Sequence, residues 1–186
     1  GTDFVFAGNA GTPYTEEDRP GPQSVYGSSK LLGEWFAGDA PKHYVLRVES
    51  LFGQAPGAAP AKGSVASIVN LMLAGQTPKV FEDRTVSPTE VNDCAAATLT
   101  LLETQAPTGL YHCVNSGWCT WLGLAQEAAR VLNLPERFEV VKFADVTLRA
   151  ARPQYCVLSN EKLLAAGAAM RTWQDALRDY LTGLKR

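Results

Sequence analysis

Histidine is scarce in this chain. Only His43 and His112 occur among 186 residues. Neither has a second imidazole or a thiol at ligand spacing on one helix, so no zinc site is expected. The four cysteines, Cys94, Cys113, Cys119 and Cys156, form no Cys-x-x-Cys pair and sit in apolar segments. Free thiols in a reducing compartment, the cytoplasm, are expected rather than a disulfide framework. An excess of either charge is also lacking. Lys+Arg number 17 against 19 Asp+Glu, for a net charge of −2. That balance gives no reason to expect nucleic acid or an anionic membrane as partner. No apolar run is long enough to span a bilayer, and no secretory signal opens the chain. Missing too is any Gly-x-Gly-x-x-Gly or Gly-x-x-Gly-x-x-Gly, the turn that seats a dinucleotide pyrophosphate at a helix N-terminus.

What is present suits a globular protein with a real core: 46% hydrophobic and 19% charged residues. Short apolar strands alternate with amphipathic helices. Strands are expected over Thr2–Phe6, Tyr44–Val48, Lys79–Phe81, Leu110–Val114 and Phe138–Phe143. Helices are expected from Ser24 to Phe36 and from Ser64, as cap, to Ala74. Others run from Asp93, capped by Asn92, to Glu103, and from Thr120, as cap, to Leu132. A last helix opens at a capping box over Thr172–Asp175. Phe52 to Gly63 reads as a small-residue loop and Asp83 to Thr89 as a turn-rich link. The alternation predicts an α/β fold. Residues 1–52 read as βαβ material and 53–186 mainly as a smaller α+β lobe. The chain opens in mid-strand, which predicts the back portion of something longer.

One stretch carries chemistry. In Tyr26-Gly27-Ser28-Ser29-Lys30, at the start of a helix, Tyr26 and Lys30 share a face. An ammonium beside a phenol favours the phenolate and makes the phenol a better proton donor near neutral pH. By itself a Tyr-x-x-x-Lys pair is common on surface helices. Gly27 predicts close approach of a cofactor or of backbone, or tight helix packing; Gly33 predicts tight packing. The four tryptophans read mostly as core, with Trp118 as a candidate edge of a pocket.

The pair does not stand alone. Thr2-Asp3-Phe4-Val5-Phe6, Pro13-Tyr14-Thr15-Glu16 and Val25 through Glu34 occur in order. Arg47 through Gly53, Asp83 through Thr89, Tyr111 through Gly117 and Ala151-Arg152-Pro153 through Leu163 follow. Together they resemble the extended short-chain dehydrogenase/reductases, and within them the dTDP-4-dehydrorhamnose reductase family. The resemblance implies a partial Rossmann-like, doubly wound parallel sheet with a substrate-binding lobe. It implies NADPH or NADH as cofactor and a nucleotide sugar, reduced at its 4-keto group, as substrate. Thr2, Tyr26 and Lys30 would be catalytic. Tyr26, Lys30, Val48, Glu49 and Ser50 would line the nicotinamide, and Ser50, Arg84, Ser87, Thr89 and Arg152 the substrate. A departure lies at Ser50, where the rhamnose-forming enzymes usually carry an aromatic. Glu49 reads either as a partner for a sugar hydroxyl or as a salt-bridge partner of Arg47 or Arg84.

Gly8-Asn9-Ala10-Gly11 follows the first expected strand but leads into Thr12-Pro13 and an acidic loop. With no helix dipole behind it, this is not read as a phosphate cradle. The catalytic and substrate parts are thus expected without the main cofactor grip. Two functional classes follow: a truncated reductase, or a non-catalytic module that binds a sugar nucleotide or a partner. A parallel sheet cut at its middle leaves an open edge, which predicts self-association.

Overall fold

The computed structural model describes residues 1–54 and 63–184. Most of the small-residue loop expected before Gly63 therefore lies outside the described residues. Thr2 bridges to Val48 in parallel, and the chain then turns at once into a 3₁₀ segment, Asp3–Val5. The Thr2 hydroxyl accepts the Phe4 N–H at 3.3 Å, a local bond that competes with a ladder. The strand expected over Thr2–Phe6 is therefore one bridge followed by a turn. Its apolar character reflects burial instead, because Val5 and Phe6 are core residues.

Helix α1 spans Val25–Gly38 and is capped by Ser24, whose hydroxyl accepts the Gly27 N–H at 3.1 Å. Strands β1 (Tyr44–Arg47) and β2 (Leu51–Phe52) follow. Helix α2 spans Ser64–Leu73. Ser64 is its first residue rather than its cap, since Gly63 takes the cap position with φ 122° and no side chain caps the helix. Next come β3 (Lys79–Phe81), β4 (Thr85–Val86) and β5 (Thr89–Glu90), so the expected link contributes two short strands. Helix α3 spans Val91–Glu103. Its cap is Glu90, not Asn92: the Glu90 carboxylate accepts the N–H groups of Asn92 and Asp93 at 2.8 and 3.0 Å.

Strands β6 (Gly109–His112) and β7 (Cys119–Thr120) lead to α4, Trp121–Leu132. Thr120 caps α4 as expected, and Asn133 ends it in the left-handed region at φ 57°. Strand β8 (Glu139–Val141) is shorter than expected, because a 3₁₀ turn begins at Phe143. Helices α5 (Glu161–Ala165) and α6 (Trp173–Leu184) complete the order. At the head of α6, Thr172 and Asp175 bond reciprocally, the hydroxyl donating to the carboxylate and accepting its N–H.

Parallel pairing dominates. β1 runs beside β6 from Tyr44↔Gly109 to Arg47↔His112, β2 beside β5 and β3 beside β8, while β4 and β7 pair antiparallel. Side chains alternate across β1. Tyr44 and Leu46 join a core with Leu101 of α3, Tyr111 and Leu163. Val45 and Arg47 face a groove shared with Leu31, Glu34 and Trp35 of α1. Helices thus cover both faces of the β1–β6 pair, as a doubly wound sheet requires. A second core gathers α2, α4 and α6 around Val80, Val86 and Phe52. A third, built of Val5, Phe6, Tyr14, Leu31, Val114 and Leu158, lies beneath the start of α1.

Arg47 is 2% exposed and donates to Glu34 of α1 from Nε and Nη2, the closest contact being 2.7 Å. This fork fixes α1 on β1. Trp121 and Trp173 are core, but Trp35 and Trp118 are more than half exposed, so two of the four tryptophans are not packing residues. Trp118 does not line the cleft described below. Among the described residues, no helix is long and apolar enough to cross a membrane.

Candidate active site

Tyr26 and Lys30 lie in the first two turns of α1 and do share a face. The Lys30 ammonium stands 5.7 Å from the Tyr26 ring centroid, and Tyr26 is half exposed. The Tyr26 ring also meets Phe4 edge-on at 5.7 Å. Gly27 explains how α1 comes so close to the 3₁₀ turn, since a Cβ there would run into the Phe4 carbonyl oxygen. The close approach expected at Gly27 is to backbone. At Gly33 an added Cβ meets nothing within 4 Å, so tight packing is not its reason.

Thr2 reaches the same region through its bridge to Val48, just beyond the carboxyl end of β1. That end is where α/β sheets bind ligands. Thr2 is 7% exposed, and its hydroxyl donates to Asp3 Oδ1 at 2.9 Å. Ser50 holds a left-handed backbone at φ 43°, unusual for a residue with a Cβ, and turns the chain away from the β1 line. Val48 thus sits beside Thr2, and the Glu49 side chain, expected to face the sugar, does not face outward. It is 2% exposed, and its Oε2 accepts the Ser87 N–H at 2.7 Å. Neither expected ion pair forms: Arg47 is taken by Glu34, and Arg84 donates to the Pro153 carbonyl and the Cys156 sulfur. Burial, reinforced by the neighbouring Asp3 carboxylate, holds the Glu49 carboxyl well above its ordinary range. Asp3 is raised to about 6, mainly by its own burial.

The residues expected on the substrate side divide. Ser87 and Thr89 are fully buried. Ser87 Oγ accepts the Leu158 N–H at 3.2 Å, and Thr89 Oγ1 donates to the Ser87 carbonyl at 3.1 Å. Their polar atoms hold the turn together and do not reach solvent, which corrects their expected direct role. Arg84 and Arg152 do line a common cleft of about 400 Å³ with Ser64, Ser67, Lys79, Phe81 and Trp121. Arg84 is largely buried, and its Nε donates to the Pro153 carbonyl at 3.1 Å. Arg152 and Lys79 are exposed. Two arginines and two aromatic rings at the head of α2, with Lys79 at the edge paired to Glu139 at 2.8 Å, suit an anionic, ring-bearing ligand. Lys79, Phe81 and Trp121 were missed because they lie on β3 and α4, and no local spacing joins them to either arginine. Thr2, Tyr26 and Lys30 are not among the residues lining this cleft.

The Gly8–Gly11 loop has an internal occupant. The N–H groups of Gly8, Asn9 and Ala10 all donate to the Tyr14 hydroxyl oxygen, at 3.0, 3.0 and 3.2 Å. Three converging amides form a nest that would suit an anion, but a phenol fills it.

Comparison with known proteins places this geometry. Residues 1–186 match the family described as the RmlD substrate binding domain. A dTDP-4-dehydrorhamnose reductase of Streptomyces griseus is 34% identical over 191 residues, covering 98% of this chain and 61% of the relative. The spore coat polysaccharide biosynthesis protein SpsK of Bacillus subtilis is 33% identical over 181 residues, covering 97% and 62%. Among solved structures, a dTDP-4-dehydrorhamnose reductase from Clostridium acetobutylicum superposes with a TM-score of 0.89 at 32% identity, over 100% of this chain and 64% of that one. Another, from Bacillus anthracis in complex with NADP, gives 0.87 at 28% identity, over 98% and 63%. The chain thus spans somewhat under two thirds of the length of these relatives. With a match over its whole length and an α/β architecture that superposes on these structures, the chain belongs to the RmlD substrate binding domain family.

Proposed function

We propose that this chain supplies the catalytic residues and the substrate lobe of an NAD(P)H-dependent reductase acting on the 4-keto group of a nucleotide sugar. The observation that carries this reading is the phenol–ammonium pair on α1, held by Gly27 against the turn that bears Thr2. Tyr26 donates a proton to the alkoxide oxygen as it forms, and such a positioned acid contributes about 10²–10⁴ in rate. Thr2 donates a hydrogen bond to the same oxygen and stabilises its developing charge. Lys30 supports the phenol electrostatically and holds the nicotinamide ribose. NAD(P)H, when bound, supplies the hydride. Tyr26, Lys30 and the backbone of Val48–Ser50 fit only its nicotinamide end, for the sequence has no glycine-rich turn to seat the pyrophosphate. The sugar nucleotide's diphosphate lies in the cleft between Lys79, Arg84 and Arg152, with its base against Phe81 or Trp121.

The cleft is built wholly from this chain, which also supports the second reading, a module that binds a sugar nucleotide without turning it over. Calorimetry separates the readings from a scaffold role. The chain is expected to bind dTDP and to lose most of that affinity in Arg152→Ala, an exposed position where the fold is not at stake. NADPH is expected to bind far more weakly. Absence of any heat with dTDP would remove both readings.

A further inference from the structure

Asp3 and Glu49 raise a question that the proposed reaction does not answer. A carboxylate oxygen of Asp3, one of Glu49 and the Cys156 sulfur lie within 4.8 Å of one another, all buried. Asp3 Oδ1 accepts from Thr2 and Glu49 Oε2 accepts from Ser87, but Asp3 Oδ2 and Glu49 Oε1 have no partner. Two unpaired carboxylate oxygens in a dry interior cost several kcal/mol if both groups are ionised. Cys156 lies close enough to Asp3 to interact with it, but it has one thiol proton, which is directed to the Pro153 carbonyl at 3.3 Å, and it offers nothing to Glu49 Oε1.

The charges around the pair decide its state. Arg84 is the cation on this side of the site, and its Nη2 reaches the Cys156 sulfur at 3.8 Å. Thr2 faces the pair from the first turn, Ser87 from the turn after β4, and Tyr155 and Cys156 from the segment before α5. Cys119 of β7 feels the Glu49 charge. None of these is a second cation. Two carboxylates against one guanidinium leave a net buried charge of −1; one shared proton brings the group to neutrality.

We infer that Asp3 and Glu49 hold one proton between them, and that Glu49 thereby acts as a positioning residue for Thr2. The consequence for Thr2 rests on the proposed reduction; the shared proton does not. A threonine hydroxyl has one proton to give. An ionised Asp3 would hold it in a charge-assisted bond, about twice as strong as a neutral one. With the shared proton on Asp3, Oδ1 is a neutral carbonyl and the hydroxyl is free to turn to a substrate oxygen. Glu49 acts at one remove, through the carboxyl next to the reacting group.

Infrared spectroscopy tests the pair in the chain itself, without turnover. Near pH 7 the wild type is expected to show a protonated carboxyl C=O band. Carboxyl ¹³C labelling of aspartate or of glutamate should each shift part of it, because the proton is shared. Asp3→Asn and Glu49→Gln should each abolish it, and the labelling makes the assignment even if either variant fails to fold. No such band at pH 7, or a band insensitive to both labels, overturns the inference. A metal site is the competing outcome. Stoichiometric Co²⁺ binding with a thiolate charge-transfer band that is lost in Cys156→Ser would mean the three side chains are ligands, and would also overturn it. A failure of dTDP to bind leaves the band unaffected, so the two readings fail separately.

Discussion

At the scale of single residues, the site depends on what each side chain gives up locally. Tyr26 is half exposed, so its hydroxyl can be removed with little effect on packing. In a polypeptide joining this chain to a cofactor-binding half, Tyr26→Phe is expected to lower kcat by about 10²–10⁴ with an unchanged circular dichroism spectrum. Undiminished turnover would remove the assigned acid. Cys94 offers a test on the chain as it stands. The Cys113 thiol donates to its sulfur at 3.4 Å and lowers its pKa to about 7, while burial raises those of Cys119 and Cys156. Iodoacetamide should modify Cys94 first, with a rate that rises through half its maximum near pH 7. Mass spectrometry would locate the adduct, and first reaction at any other cysteine would contradict the assignment.

Between elements, the Arg47–Glu34 fork ties α1 to β1 and so sets where Tyr26 stands. Both side chains are under one-tenth exposed. Glu34→Ala leaves a buried guanidinium unpaired and is expected to cost about 3–5 kcal/mol in urea unfolding. A cost under 1 kcal/mol would mean that α1 is held by its apolar contacts instead. Legibility in the sequence followed this difference between local and distant bonds. Thr120 was readable as a cap because a hydroxyl three residues before a free N–H is a local pattern; Ser24, read as the first residue of its helix, proves to be the cap by the same pattern. Tyr26 and Lys30 were readable for the same reason, four residues apart on one helix. At α3 the cap shifted from Asn92 to Glu90, whose longer side chain also reaches both open donors. The strand expected at Thr2–Phe6 failed because hydrophobic composition reports burial as readily as pairing. Asp3 and Glu49 are 46 residues apart in sequence, and nothing in either neighbourhood announces that Val48, pairing with Thr2, brings them together.

For the molecule as a whole, stability against pH draws on groups of opposed sign, His112 on one side and Asp3 with Glu49 on the other. His112 is fully buried, and burial lowers its pKa to about 3 from an ordinary 6.5. Between those values the unfolded chain binds a proton that the folded chain refuses, so this contribution to stability is lost as pH falls. Asp3 works the other way. Its raised pKa makes the folded chain the better proton binder, and that contribution is lost as pH rises from about 4 through 6. Wild type should therefore lose less stability from pH 7 to 5 than His112 alone would dictate, and Asp3→Asn should lose more, as urea midpoints would register. An equal or smaller loss in Asp3→Asn would contradict the opposed signs. The open side of β1, just beyond which Thr2 bridges to Val48, is flanked by grooves at Val45 and at Leu46. Self-association through that edge is expected in this chain, and light scattering showing a clean monomer would count against it.

The loop closed by Tyr14 has a consequence of its own. Its three amides already have an oxygen, supplied by the polypeptide, so phosphate in the buffer has nothing to offer them. Amide exchange at Gly8, Asn9 and Ala10 should be slow and indifferent to added phosphate, and Tyr14→Phe should make it fast.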